Sequence, residues 1–193
     1  DYMHRAGEEE FLWLGGTHFG DWLGLDAPEG SYKGSTDEGL IASAYYAYSA
    51  ELLGRMGRAL GKDMGQYEAL HDNVVQAWRE RYISGGRVMG DTQTGYVLAL
   101  AFRLAAEEDV PVLAARLAEK IHENGDHLQT GFVGTPYLLR ALSDNGYADL
   151  AYTLLLQTTF PSWLFPVTLG ATTMWEHWDG LKADGSMWSK DMN

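Results

Sequence analysis

The order of its connections constrains this chain more than any other feature. Helix-forming stretches come in pairs, with a short turn inside each pair and a long loop between pairs. The first stretch, residues 37–60, spaces Ile41, Tyr45, Tyr48, Leu52 and Met56 by three or four, which sets them on one helical face. Thr36 is the expected N-cap. Gly61 ends the helix, and Asp63 can open its partner after a very short turn. The partner runs to about residue 83, with Tyr67, Leu70, Val74, Trp78 and Tyr82 on one stripe, until Gly85-Gly86 breaks it.

The pattern then recurs. Asp91-Thr92-Gln93-Thr94 reads first as the N-cap of a helix reaching about residue 106. After residues 107–110, Pro111 sits where a first helical turn tolerates it, and Leu113, Leu117 and Ile121 follow at spacing four up to Asn124-Gly125. A third pair starts at Thr135-Pro136, turns at Asn145-Gly146 and ends near residue 157. Residues 158–193 are rich in aromatics and glycine and resist assignment, and strand character is confined to residues 87–89.

These features predict an all-α fold. Helical hairpins build either a solenoid or a closed ring. The hairpin starts near Thr36, Thr92 and Thr135 are unevenly spaced and share no consensus, which favours an (α/α) toroid. About six hairpins close such a ring, so three pairs and a tail predict half of an (α/α)6 toroid. Residues 1–193 then form one partial domain that lacks the upstream helices. Short turns fall at one end of a hairpin array and long loops at the other. Residues 11–35, 84–91, 125–134 and 158–179 should therefore share a rim carrying Trp13, Asp21, Trp22, Gln129, Phe132, Trp163, Trp175, Glu176, Trp178 and Asp179. Aromatic faces stack on sugar rings, and carboxylates and amides hold hydroxyls, so this rim suits a carbohydrate.

Composition excludes several other classes. A net charge of −13 argues against nucleic acid and anionic membrane surfaces as partners, since both call for a basic patch. The absence of cysteine removes disulfides and thiolate metal sites. The six histidines are scattered rather than set at metal-ligand spacing, so neither a metal nor a cofactor is expected. Ser162 lacks the Gly-x-Ser-x-Gly elbow of a serine nucleophile. No apolar run approaches a membrane span, and Asp1-Tyr2-Met3-His4-Arg5 lacks the regions of a signal peptide. The compartment stays open.

Two stretches can carry chemistry. In Gly170-Ala171-Thr172-Thr173-Met174-Trp175-Glu176-His177-Trp178-Asp179-Gly180, a carboxylate stands among three rings. Poor solvation there would suit a proton acceptor working near neutral pH. A structural Glu176, paired to an arginine or capping a helix, fits the same residues equally well. In Phe19-Gly20-Asp21-Trp22-Leu23, Asp21 can hold two sugar hydroxyls and Trp22 can stack on the ring. The residues alone slightly favour a turn in which Asp21 bonds backbone amides and Trp22 is core. Gln93 is a lesser candidate for a rim contact.

Taken in order, five segments resemble the catalytic domain of the bacterial α-L-rhamnosidases, glycoside hydrolase family 78. They are Gly20-Asp21-Trp22-Leu23, Asp91-Thr92-Gln93-Thr94, Leu128-Gln129-Thr130-Gly131-Phe132-Val133-Gly134-Thr135, Pro161-Ser162-Trp163, and Gly170 through Gly180. The resemblance implies an (α/α)6 toroid that hydrolyses terminal α-L-rhamnosides with inversion. It implies that Glu176 is the general base, that Trp22 lines the rhamnose pocket, and that Asp21 is a further contact. Phe132 and Trp178 join them as substrate-binding candidates from the rim. The family's general acid, in an Asp-Glu-Arg-x-Gly-Trp-like segment, has no match here, and neither does its downstream Asn-His-Tyr motif. The expected partners are rhamnose-containing glycosides or polysaccharides and the remainder of the same catalytic domain. Self-association through exposed helix flanks is also expected, and so is inactivity of this chain alone. Another helical-toroid glycosidase, glucosidase- or trehalase-like, and a non-catalytic carbohydrate-binding module are the competing expectations.

Overall fold

A computed structural model describes residues 9–182 and 184–187. The terminal segments Asp1-Tyr2-Met3-His4-Arg5 and Asp191-Met192-Asn193 lie outside the described residues. The described residues form helical hairpins. Helices α1 (Glu38–Ala59) and α2 (Gly65–Tyr82) make the first, α3 (Gln93–Ala101) and α4 (Val110–Glu123) the second, and α5 (Thr135–Ser143) and α6 (Ala148–Leu156) the third. A short α7 (Phe165–Thr168) follows in the tail that the sequence left unassigned. Strands β1 (Ile83–Ser84) and β2 (Arg87–Val88) pair antiparallel between α2 and α3. Their turn is Gly85-Gly86 at φ 58° and 71°, the two positive values that a two-residue turn matched to strand twist demands.

The hairpins are layered. Each first helix packs on its own partner, and α3 also touches α1 on one side and α5 on the other. Helices α1, α3 and α5 thus form an inner row, with α2, α4 and α6 outside. Helix α3 is the centre of that row: Gln93 through Leu100 are all buried, as a helix apolar on every side must be. The outer α4 is amphipathic, burying Leu113, Ala114, Leu117, Ala118 and Ile121. The first hairpin is tied by Trp78, whose buried indole N–H donates to the Leu40 carbonyl at 3.0 Å.

Several expected boundaries move. Asp37, not Thr36, caps α1, its carboxylate accepting from the Leu40 N–H at 2.8 Å. Thr36 is buried instead, its hydroxyl 2.7 Å from that of Thr92, which caps α3. Helix α2 starts at Gly65, whose N–H bonds Asp63. Helix α3 stops at Ala101 rather than near residue 106, because Arg103 turns left-handed at φ 56°. Phe102 then drops into an aromatic cluster, stacked on Tyr48 at 4.3 Å and edge-on to Tyr45 and Tyr137. The buried face of α1 also differs from the expected stripe. It runs through Ala44, Ala47, Ala50, Gly54 and Gly57, while Met56 is exposed. Small residues let α2 approach more closely than a row of large ones would.

Candidate active site

The long connections do collect at one end. Gln93, buried at the start of α3, donates to the His127 carbonyl (3.2 Å) and accepts from the Gln129 N–H (2.8 Å). His127 in turn meets the Thr159 hydroxyl at 2.8 Å, and Gln157 donates to the Asp126 carbonyl. Both polar ends of Gln93 are thereby used in holding the loop after α4, which corrects its reading as a rim contact.

Asp21 does the same with a charge. It is 1% exposed. Its Oδ2 accepts from the Thr94 hydroxyl at 2.5 Å and the Gly131 N–H at 2.8 Å. Its Oδ1 accepts from the N–H groups of Val133 (2.8 Å) and Gly134 (3.3 Å). One carboxylate thus joins the 19–25 turn, the first turn of α3 and the loop before α5. Asp21 does not line the pocket described below, so the sugar contact drawn from the resemblance gives way to the turn-forming reading. Two backbone bonds extend the seam: Phe132 N–H to the Trp22 carbonyl, and Leu25 N–H to the Gln129 carbonyl, both 2.9 Å. The segments lie so close that a Cβ on Gly131 would overlap the Trp22 carbonyl oxygen and crowd the Gly24 nitrogen. Nearby, burial raises the Asp26 carboxyl above the ordinary carboxylate range; the Ser35 N–H bond opposes this and the charge of Asp21 adds to it.

Above this seam opens a pocket of about 340 Å³. Leu23 and Gly131 contribute from the seam, Phe132, Thr135 and Pro136 from the entry to α5, and Trp163, Met174, Trp175, Glu176, His177 and Trp178 from the tail. Trp163 and Trp178 meet edge to face at 5.4 Å, and Phe132 is 52% exposed, its ring available to a ligand. Ser162 Oγ, buried, accepts from the Phe165 N–H and so fixes the turn that carries Trp163. Glu176 is the carboxylate among these lining residues. It is exposed rather than enclosed by its neighbouring rings, so the poor solvation expected of it is not met by the described residues. The His177 imidazole meets the Asp179 carboxylate.

Of the candidate residues, Phe132, Glu176 and Trp178 therefore line one pocket. Trp22 stands beside them in a separate aromatic group, edge-on to Phe19 at 5.5 Å and tilted on Tyr32 at 5.2 Å. The apolar floor, Leu23 with Thr135 and Pro136, was not legible beforehand. Leu23 sits at φ 58°, a conformation a leucine gives no hint of. The arrangement offers stacking faces around a water-accessible carboxylate, which suits a neutral ring bearing hydroxyls.

Comparison with known proteins agrees. Residues 1–192 match the bacterial alpha-L-rhamnosidase 6 hairpin glycosidase domain. An alpha-L-rhamnosidase of Streptomyces avermitilis is 43% identical over 91% of this chain and 16% of its own length. One of Formosa agariphila is 41% identical over 94% of this chain and 20% of its own length. The crystal structure of the Streptomyces avermitilis alpha-L-rhamnosidase complexed with L-rhamnose superposes with a TM-score of 0.89 at 39% identity, covering 98% of this chain and 18% of that one. The chain thus spans a fifth or less of the length of these relatives. With the fold, the pocket and the sequence in accord, this chain belongs to the bacterial alpha-L-rhamnosidase six-hairpin glycosidase family.

Proposed function

We propose that this chain is part of the catalytic domain of an enzyme that hydrolyses terminal α-L-rhamnosides with inversion, and that Glu176 is its general base. The observation that carries this reading is the position of Glu176 in the aromatic pocket, beside Trp175, Trp178 and Phe132. In the proposed reaction, the sugar lies against these rings. The Glu176 carboxylate takes a proton from the water attacking the anomeric carbon, while an acid on the opposite face protonates the departing oxygen. Inversion holds the two carboxyls about 6.5–9.5 Å apart, with the water between base and sugar. Three hairpins among the described residues against six in the family's description support a domain in which other hairpins supply the acid. On this reading the present residues alone do not turn over substrate. Trp22 contributes an apolar face at the edge of the site, backed by Phe19 and Tyr32.

The test uses the full-length enzyme. Glu176→Gln keeps the shape but cannot take the proton. General-base catalysis is worth about 10²–10⁴-fold, so kcat should fall by at least ~100-fold with KM little changed. Azide, a nucleophile that needs no deprotonation, should partly restore turnover. Trp22→Ala should instead raise KM. A Glu176→Gln enzyme with near-normal kcat would make Glu176 a structural residue.

A further inference from the structure

A second pocket, of about 270 Å³, adjoins the first and shares Leu23 and His177 with it. Its other lining residues include Leu25, Ser31 and Tyr32. We propose that this pocket is the subsite for the sugar to which the terminal rhamnosyl unit is linked, with Tyr32 as its stacking face. The inference rests on the functional reading above.

Three observations carry it. The first is contiguity. The two cavities share one leucine and one imidazole in their walls, which sets two sugar-sized spaces side by side. Each lies near or just below the lower end of the ~300–1,000 Å³ usual for small-molecule sites, as suits one ring apiece. A terminal rhamnoside has only one neighbouring unit, the leaving group, to place in the second.

The second is the state of Tyr32. It is 47% exposed, yet it is held in place. Its carbonyl accepts from the Leu23 N–H at 2.6 Å, its ring leans on Trp22, and the next residue bridges Trp22 through the backbone. Lys33 is pinned to α1 through Glu38 at 2.7 Å, and its N–H bonds Ser31 Oγ. The segment thus holds a half-exposed aromatic ring in place beside a cavity, and apolar surface left exposed at a groove marks a ligand site.

The third is the chemistry of the walls. An aromatic ring and two leucines face the apolar side of a pyranose, and Ser31 and the backbone at Gly24 and Gly30 border its hydroxyls. Among the described residues no carboxylate, lysine or arginine lines this pocket, and its one imidazole, His177, is turned to the Asp179 carboxylate, so its walls suit a neutral sugar better than a uronic acid or phosphate.

The test compares two substrates of the full-length enzyme. One is methyl α-L-rhamnoside, which has no second ring. The other is a rhamnosyl-glucose disaccharide. Tyr32→Ala should lower the ratio of kcat/KM on the disaccharide to that on the methyl glycoside by about five- to tenfold, the worth of one aromatic face. Tyr32→Phe should keep the ratio. Ser31→Gln, which adds bulk at the pocket edge and gives up the Ser31 Oγ bond to Lys33 but keeps the Lys33–Glu38 pair, should lower the ratio as well and serves if Tyr32→Ala unfolds. An unchanged ratio in both Tyr32→Ala and Ser31→Gln would overturn the subsite while leaving rhamnoside hydrolysis intact. A wild-type enzyme that cleaves neither substrate would overturn the functional reading, and the subsite with it.

Discussion

Replacing Asp21 with asparagine changes one oxygen to an amide nitrogen in a fully buried site. The wild-type carboxylate accepts four bonds, two on each oxygen. Asparagine does best with its oxygen toward Val133 and Gly134, leaving its NH2 against Gly131 and Thr94. The Thr94 hydroxyl can rotate and accept, but the Gly131 N–H cannot. One stranded buried donor costs about 1–3 kcal/mol, and losing the charge from the surviving bonds costs about 1 kcal/mol more. The total, about 2–4 kcal/mol, raises the opening equilibrium of the seam by about 30- to 700-fold. Amide exchange of peptides covering residues 22–25 and 129–134, in the full-length protein, should accelerate by that factor. Thr94→Val, which removes only the hydroxyl bond, should cost less, about 1–2 kcal/mol. If Asp21→Asn left exchange in both peptides unchanged and merely raised KM, the carboxylate would be touching sugar after all, and the clamp would be wrong.

Two further outcomes are expected. Asp91 is partly buried, which by itself would raise its carboxyl, but the Tyr96 hydroxyl at 2.5 Å and Lys120 at 3.4 Å outweigh that and hold it below the ordinary carboxylate range. A depressed carboxyl stabilises the fold above about pH 4 and loses that contribution as pH falls through its lowered value. The melting-temperature gap between wild type and Asp91→Asn should therefore shrink between pH 5 and pH 2, and a constant gap would refute the linkage. The 193-residue chain expressed alone exposes Tyr152, Leu156, Phe160 and Val167 on and after α6, and Leu53, Met56 and Leu60 near the end of α1. Sedimentation velocity should show concentration-dependent self-association, weakened by Leu156→Glu; a monomer at all concentrations would count against it.

Elements set by local chemistry were readable from the sequence. Pro136 and Asn145-Gly146 delimit α5 as expected, and Thr92 caps α3 through the Gly95 N–H. Elements decided at a distance were not. Nothing local to Ala101 announces that Phe102 will leave the helix for Tyr48, or that Arg103 will accept a left-handed turn to allow it. The site divides the same way. Glu176 stands out because glycine, threonine and tryptophan surround it in sequence. The clamp at Asp21 was hidden because its acceptors are filled by residues 73 to 113 positions away. Trp22 could be picked as an aromatic on a turn, but not its grouping with Phe19 and Tyr32 instead of the pocket wall, which follows from how residues 19–33 fold back on themselves.

The seam between the Asp21 turn and residues 131–134 closes a stretch of more than a hundred residues, since Asp21 and Gly131 stand 110 apart. Closing so long a loop costs roughly 4 kcal/mol in chain entropy, which the carboxylate bonds must offset. Each helical hairpin, by contrast, forms from neighbours in sequence and can assemble quickly. The order of events follows: hairpins first, pocket floor last. A nascent chain has its scaffold before it has its pocket, and Leu23 and Gly131 meet only when α1, α3 and α5 have all taken their places. Completion of the site therefore reports that the inner row is correctly assembled, and a misplaced hairpin would show first as lost binding while helix content was still near its native value.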